Sequence, residues 1–500
     1  MKLTRTADLW WKTAVIYCLD VETFCDKGFD ELAQRIDYLA SLGVTCVWLM
    51  PYYPSPDRDD GYDITDFQNV DPRLGSLGDF VEFVRTARDR GLRVIADLVV
   101  NHTSDQHPWF QEARSSRDNP KRDWYVWRDE PPPDADKGVV FPDKEKSLWE
   151  YDEKTEQYYQ HMFYKHQPDL NVENPAVRDE IARIMGLWLE LGLSGFRVDA
   201  VPFLLETQSD HLPDPHDYLA DLRAFIGRRN GSSVLLGEVN LPYDDTMRFF
   251  GDPDDTGEEL TMCFDFIGMQ QMYLSLARKD ARPLAQALRE RPKPPRDGHW
   301  ATFVRNHDEL TLDKLSDSER QEVFEAFGPS KDMQLYGRGL RRRLPGMLNH
   351  DMRRIRMVYS LLFSLPGTPV LFYGEEIGME EDLSQEGRLA VRTPMEWDRV
   401  HEQRRDPESL LSWLRTLIER YRECPEFAWG TYEVLDVGEP AVLAHRCSID
   451  GDSVVAVHNL GDRDVTVPLD GTFTDVFTGE RAELPMALGA YDCRWLRSER

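Results

Sequence analysis

The sequence lacks any uninterrupted apolar run long enough to span a lipid bilayer. Its first eight residues, Met1 to Asp8, do not contain the apolar core of a secretory signal. It also has no basic amphipathic stretch of the kind that binds a membrane surface. We therefore expect no membrane partner.

Basic residues are scarce beside acidic ones: 60 Lys and Arg stand against 90 Asp and Glu, a formal net charge of −30. Such a surface repels phosphate backbones, which excludes nucleic acid as a partner. The seven cysteines are odd in number and scattered, with no C-x-x-C pair, and this pattern favours free thiols and a reducing compartment. We expect a cytoplasmic protein, and the sequence leaves open whether it forms a homo-oligomer.

What the 500 residues do contain is an alternation of apolar strands and amphipathic helices. Apolar residues at helical spacing over 29–42 end at Gly43, and Asn174 with Pro175 is typical of a helix start. The strands are apolar throughout, which indicates a parallel sheet covered on both faces. No G-x-G-x-x-G supports a doubly wound sheet, so we predict an α/β fold, a (β/α)₈ TIM barrel. The predicted strands are residues 15–21, 45–50, 92–100, 195–201, 234–239, 262–266, 301–304 and 368–373.

Two regions depart from this alternation. Residues 103–172 separate the third strand from its helix and are rich in aromatic side chains, as expected of a small inserted subdomain. From about residue 427, short strands alternate with turns, which predicts a C-terminal all-β sandwich. The predicted domains are the barrel at 1–102 and 173–426, the insert at 103–172 and the sandwich at 427–500.

The stretch that contains Arg197 and Asp199 carries the clearest chemical signal. Side chains two residues apart on a strand share a face, so this arginine and this aspartate are expected to lie together. The arginine should lower the pKa of Asp199 and keep it ionised, as a nucleophilic carboxylate requires. Because an isolated pair of this kind is more often a structural ion pair, its interpretation depends on the other strand ends.

Polar residues follow three further strands: His102 the third, Glu238 the fifth, and His307 with Asp308 the seventh. In a barrel these ends meet at one rim, where clustered like charges indicate catalysis rather than stability. Burial and neighbouring carboxylates should raise the pKa of Glu238 towards that of a general acid. A metallohydrolase built on the two histidines is disfavoured, because the sequence has no H-E-x-x-H motif.

These strand ends resemble, in order and in residue type, the signature regions of the α-amylase superfamily, glycoside hydrolase family 13. The resemblance implies a retaining glycosidase whose barrel carries a domain B after the third strand and a C-terminal β-domain. It implies Asp199 as the nucleophile, Glu238 as the general acid/base and Asp308 as the carboxylate that stabilises the transition state. Asp97 would be a structural partner of the arginine.

The resemblance also indicates a pocket for a chain end. In family members of this kind an Asp at the position of Asp60 pairs with an Arg at the position of Arg392 behind the terminal glucose, on which Tyr62 would stack. Phe203 stands where starch-cleaving members tend to carry a Lys-His pair, so short α-glucosides are the expected small-molecule substrates. The implied substrate-binding residues are Asp60, Tyr62, His102, Arg197, Phe203, His307 and Arg392.

The chain is most similar to the trehalose-synthase-like and α-glucosidase-like branch, over stretches such as 101–110, 166–171 and 341–344. Three loops look shortened against that branch: the one after the first strand, the one after Phe203 and the one between Met395 and Pro407. Short loops would admit water to a site from which an isomerase must exclude it. Hydrolysis of short α-glucosides or glucosyl transfer is therefore the preferred function, and trehalose synthase, a maltose–trehalose isomerase, is the alternative. An inactive carbohydrate-binding scaffold should have lost a catalytic carboxylate, and all three are present.

The chemistry requires no cofactor, but the resemblance implies a structural calcium ion held by Asn101, Asp169 and Glu206. Oxygen donors of this kind suit a hard cation. The alternative is that Asn101 and Asp169 only hydrogen-bond the insert to the barrel.

Overall fold

Eight parallel strands form a closed barrel in the computed structural model, which describes residues 9–205, 216–251 and 257–499. Each strand pairs with the next along the chain, and the eighth pairs with the first. Apart from the first residue of the third and seventh strands, every strand residue is buried, which accounts for the continuous apolar runs. The predicted TIM barrel is confirmed. The barrel strands are β1 (Ile16–Leu19), β2 (Cys46–Leu49), β3 (Arg93–Leu98), β4 (Gly195–Val198), β5 (Val234–Gly237), β6 (Met262–Phe264), β7 (His299–Phe303) and β8 (Thr368–Phe372).

Local sequence signals set where several helices begin and end. Helix Gly28–Leu42 ends at Gly43, whose φ of 96° lies in the left-handed region that favours glycine. Asn174 caps helix Pro175–Glu190 by accepting a hydrogen bond from a backbone N–H of its first turn, and Ser76 caps the helix that follows it. The described α-helices are Val21–Phe24, Gly28–Leu42, Leu77–Asp89, Pro108–Ala113, Pro175–Glu190, Val201–Leu205, His216–Arg229, Tyr243–Arg248, Phe266–Arg278, Arg282–Glu290, Asp317–Phe327, Leu344–Met347, Met352–Ser364, Trp397–Gln403, Leu410–Arg422 and Pro425–Trp429.

Four smaller antiparallel sheets lie outside the barrel in the described residues. One belongs to the insert after β3, one to the segment after β7, and two to the C-terminal region, where apolar side chains such as Val455, Val457 and Leu496 form a separate core. The C-terminal β-domain is therefore present, while the exact domain boundaries stay predictions. The strands are Trp127–Arg128, Trp149–Asp152 and Gln157–Gln160; Leu310–Thr311, Gln334–Leu335 and Gly339–Leu340; Thr431–Leu435, Val442–Ile449, Asp452–Asn459, Phe473–Asp475 and Cys493–Ser498; Val465–Val467 and Met486–Leu488.

All seven cysteines are free thiols, and six of them are buried. Among the helices of the described ranges, none has the length and the apolar character needed to cross a membrane.

Candidate active site

Arg197 lies at the centre of the polar rim, on β4, and is 1% exposed. Its Nη1 donates to Asp97 and to Asp199, each at 2.5 Å, and its Nη2 donates to Glu238 at 2.7 Å. The register of β3 against β4 sets Asp97 directly beside the arginine. A buried guanidinium is costly without partners, and the three carboxylates supply them. The four charged groups therefore interact as one network. The predicted contact between Arg197 and Asp199 is present.

Burial, however, outweighs the arginine in its effect on Asp199. Loss of solvent raises the pKa of Asp199 to about 6, although the Arg197 charge acts in the opposite direction. The arginine thus acts in the predicted direction, but the prediction of a lowered pKa for Asp199 was wrong, because the strand end is completely buried and burial has the larger effect. At neutral pH the carboxylate form of Asp199 still predominates.

Glu238 follows β5 and shares the same arginine. Burial, together with the charges of Asp199 and Asp308, raises the pKa of Glu238 to about 7, in the predicted direction. The backbone N–H of Ala200 donates to Glu238 Oε2 at 3.0 Å. Ala200 has a φ of +46°, which non-glycine residues rarely adopt, so the turn after β4 holds a strained residue that orients the carboxyl group of the next strand.

Asp308 lies among cations at the end of β7. Its Oδ1 pairs with Arg388 at 2.8 Å and with Arg392 at 3.0 Å, and its Oδ2 lies 3.4 Å from His307 Nε2. Burial opposes ionisation of Asp308, but the charges of Arg388, Arg392 and Arg197 hold its pKa well below the usual range. This group is therefore a permanent carboxylate at working pH.

Arg392 also forms an ion pair with Asp60, so these two residues meet as the sequence predicts. Beside them the ring of Tyr62 is parallel to that of His307, with centroids 5.8 Å apart, and the Tyr62 hydroxyl lies 2.7 Å from His307 Nε2. Burial lowers the pKa of His307 well below its usual value, so the ring is neutral. His102 lies next to Tyr62, and its Nε2 is 3.2 Å from the Tyr62 carbonyl oxygen.

These groups surround a cavity of about 420 Å³. Of the residues predicted to form the site, six line it: Tyr62, His102, Asp199, Phe203, Glu238 and Asp308. The others, Asp60, Arg197, His307 and Arg392, are not among the lining residues. Arg197, His307 and Arg392 contact lining side chains, and Asp60 pairs with Arg392.

Sequence reasoning missed a second layer of lining residues. Arg388, on the segment after β8, pairs with Glu309 at 2.7 Å and lies 5.1 Å from the ring centroid of Phe141, which belongs to the insert. Arg338, on the segment after β7, donates to the Val140 carbonyl at 2.8 Å and pairs with Glu309 at 3.0 Å. The only available signal was that Arg388 stands four residues before Arg392.

Aromatic rings continue the same contact between the insert and the segment after β7. Phe141 stacks on Tyr164 at 4.5 Å and meets Tyr336 at 5.1 Å between centroids. Phe163, also in the insert, packs edge-on against Phe203 at 5.5 Å. Side chains from the insert and from the segments after β4, β7 and β8 thus meet at the cavity. We call the lining residues among them, Phe141, Phe163, Phe203, Arg338 and Arg388, the roof.

At the junction between insert and barrel, the Asn101 amide donates to Asp169 Oδ1 at 3.1 Å. Burial raises the pKa of Asp169 to about 8. Glu206, the third predicted calcium ligand, lies outside the described residues. Within the described part of the chain, no group of three His, Cys, Asp or Glu side chains is arranged to hold a metal ion.

Comparison with known proteins identifies the family. Residues 28–326 match the α-amylase catalytic domain. A trehalose synthase/amylase, TreS, of Mycobacterium tuberculosis is 39% identical over 92% of this chain and 84% of its own length. A trehalose synthase of Pimelobacter sp. is 38% identical over 92% of this chain and 89% of its own. The crystal structure of an α-amylase from H. orenii superposes with a TM-score of 0.80 at 25% identity, covering 98% of this chain and 100% of that one. The chain therefore belongs to the α-amylase family, glycoside hydrolase family 13, and is an enzyme that acts on α-glucosides.

Proposed function

We propose that this enzyme interconverts maltose and trehalose by retaining, intramolecular transfer of one glucosyl group. The observation that carries the proposal is the cavity of about 420 Å³, in which three carboxylates meet beside roof residues that come from separate segments. The similarity to proteins named trehalose synthase supports this alternative over the hydrolysis or open transfer that the short loops favour. Loop length alone indicates an open site, but the roof contacts join segments that are far apart in the chain.

In the first step Asp199 would attack C1 of the glucosyl unit while Glu238 gives its proton to the glycosidic oxygen. The bond from C1 to that oxygen breaks, an ester between C1 and Asp199 forms, and glucose is released within the cavity. The order of the two pKa values, about 6 for Asp199 and about 7 for Glu238, suits these roles. The Asp308 carboxylate would stabilise the positive charge that develops on the sugar ring.

In the second step a different hydroxyl of the same glucose would attack C1. Glu238, now a carboxylate, takes the hydroxyl proton, and the bond between C1 and Asp199 breaks. If the first bond joined C1 to O4 of the glucose, as in maltose, attack by O1 gives trehalose. Attack by water would give hydrolysis, so the roof must exclude water until the glucose has turned.

The direct test is proton NMR of the enzyme incubated separately with maltose and with trehalose, each in the presence of added ¹³C-glucose. Each disaccharide is expected to convert into the other with little free glucose and little label in the product. Asp199→Asn serves as the inactive control. Free glucose as the main product would establish an α-glucosidase, and labelled disaccharide would establish intermolecular transfer; either result would contradict the proposal.

No cofactor enters these steps. We propose a structural calcium ion at Asn101, Asp169 and Glu206, where the first two residues join the insert to the barrel. Two oxygen donors at this junction support it, and a cation would let the buried Asp169 ionise. A cytoplasmic location stays a prediction.

A further inference from the structure

Three consecutive arginines on the segment after β7, Arg341, Arg342 and Arg343, have no part in the proposed function. Arginine is mostly exposed in proteins unless it is paired, and adjacent like charges repel one another. Arg343 is nevertheless 1% exposed, and the side chain of Arg342 is 14% exposed. Such burial requires partners, and each of the three arginines has partners on the segment after β8.

Arg343 holds both ends of that second segment. Its Nη2 and Nε donate to the Val391 carbonyl at 2.6 and 3.1 Å, and its Nη1 donates to the Tyr373 carbonyl at 2.8 Å. Tyr373 directly follows β8, and Val391 directly precedes Arg392. Because a guanidinium group is planar and rigid, these hydrogen bonds fix the start of the segment relative to its end.

Arg342 and Arg341 hold the part in between. Arg342 Nε donates to Glu381 Oε1 at 2.7 Å, and the backbone N–H of Arg343 donates to Glu381 Oε2 at 2.8 Å. Arg341 Nη1 donates to the Gln385 carbonyl at 2.6 Å. Three consecutive residues thus hold the start, the middle and the end of the segment after β8, and we call them the clamp.

The segment that the clamp holds carries two arginines of the active site. Arg388 and Arg392 both bind Oδ1 of Asp308, at 2.8 and 3.0 Å, so two cations lie close together on one oxygen. Glu309 pairs with Arg388 and Asp60 with Arg392, which balances the charge. Charge balance alone does not bring both cations to the same oxygen, because their mutual repulsion opposes that arrangement. It requires a backbone that cannot move apart, and the clamp supplies this restraint.

The backbone of Asp308 is fixed in the same manner. Arg305, which is 1% exposed, donates from Nη2 to the Asp308 carbonyl at 2.8 Å and from Nη1 to the Asn306 carbonyl at 2.7 Å. Arg392 Nε also donates to the His307 carbonyl at 2.8 Å. Buried arginines therefore restrain both sides of the contact between Asp308 and Arg392.

We propose that the clamp positions Arg388 and Arg392 on Asp308 and thereby sets the orientation of the carboxylate that stabilises the transition state. The three clamp arginines are positioning residues, because none of them is among the residues that line the cavity. The inference rests on the role that the proposed function gives to Asp308. An interaction that strengthens only in the transition state raises kcat and leaves ground-state binding unchanged. A loosened clamp should therefore lower kcat more than it raises KM.

The test measures kcat and KM for α-glucosyl fluoride from the release of fluoride. Arg343→Met removes the three side-chain hydrogen bonds of Arg343, while Glu381→Gln keeps the shape of that side chain and removes its charge. The matched control is Arg122→Met, since Arg122 is also buried and donates to a backbone carbonyl, that of Ala113, but makes its contacts within the insert. Thermal unfolding followed by circular dichroism gives the Tm of each variant.

We expect Arg343→Met to lower kcat by about 10–100-fold and to raise KM by less than about three-fold, because several buried hydrogen bonds that orient Asp308 are lost. Glu381→Gln should lower kcat by about 3–10-fold, since a charge-assisted hydrogen bond becomes a neutral one, and it carries the test if Arg343→Met does not fold. Arg122→Met should lower the Tm and leave kcat unchanged. A kcat for the clamp variants no lower than that of the control, or a rise in KM at an unchanged kcat, would overturn the clamp.

Asp308→Asn, measured in the same assay, separates the clamp from the function on which it rests. Fluoride is released whatever acceptor then takes the glucosyl group, so an enzyme that hydrolyses maltose would refute the isomerase and leave this comparison intact. A large loss of kcat in Asp308→Asn without a loss in Arg343→Met and Glu381→Gln would refute the clamp alone. An Asp308→Asn variant that keeps its kcat would refute the role of Asp308, and the clamp with it.

Discussion

Arg338 joins the segment after β7 to the insert, so its removal should let water into the cavity. It donates to the Val140 carbonyl of the insert and pairs with Glu309, while it makes no ion pair with the three carboxylates around Arg197. Arg338→Met would therefore weaken the closed state and leave the catalytic groups in place. We expect the ratio of released glucose to isomerised disaccharide to rise.

The size of the effect follows from these contacts. The Arg338 side chain is 25% exposed, and Glu309 keeps Arg388 as a partner in the variant. The lost hydrogen bond and the largely buried ion pair, whose Glu309 keeps a second partner, together amount to about 1–2 kcal/mol, which shifts the balance of open and closed forms by about 5–30-fold. While the closed form remains the major one, the isomerisation rate should fall by less than about two-fold.

Proton NMR on maltose gives the ratio of released glucose to isomerised disaccharide and the isomerisation rate in one experiment. Repeating it at several temperatures follows the opening of the roof. The matched control is Arg117→Met, since Arg117 also binds backbone carbonyls and a carboxylate, Asp129, but only within the insert. A product ratio for Arg338→Met equal to that of Arg117→Met would refute the reasoning that the roof excludes water.

Three further predictions concern the catalytic carboxylates and the proposed calcium ion. Asp199→Asn should lower turnover by roughly 10⁴-fold or more with an unchanged circular dichroism spectrum, and a variant that keeps most of its activity would contradict the mechanism. The pH profile of kcat/KM should be bell-shaped: activity falls below about pH 6 as Asp199 takes up a proton and above about pH 7 as Glu238 loses one, whereas a flat profile from pH 5 to 8 would contradict both roles. EDTA should lower the Tm and added Ca²⁺ restore it, with a shift that grows from pH 6 to 8 because the ion needs Asp169 ionised; identical melting curves would refute the ion.

The barrel could be predicted because each of its strands carries its own signal. A strand such as Val234–Gly237 is buried on both faces and must be apolar along its whole length, and Gly43 is required where the preceding helix ends in a left-handed turn. The strand ends then bring their polar residues to one rim through topology alone. For this reason the contact of Arg197 with Asp199 could be read from the sequence.

The roof could not be predicted, because it depends on pairs of residues far apart in the chain. Nothing local to Arg338 indicates that it reaches Val140, 198 positions earlier, and loop length alone suggested an open site. The pKa of Asp199 was missed for a related reason. Its value results from two opposed effects, burial and the arginine, and only the folded structure shows which is larger.

The arrangement around Arg197 has a consequence for the whole proposed cycle. Before reaction the negative charge shared by nucleophile and acid sits on Asp199, at Nη1; once the ester has formed it sits on Glu238, at Nη2 of the same guanidinium. Each half-reaction would thus move one charge from one edge of a fixed, planar cation to the other, and the total around it stays constant. Neither solvent nor a distant counter-ion has to rearrange for this exchange. Both steps could therefore proceed in a cavity that excludes water, without the dielectric relaxation that water would otherwise supply.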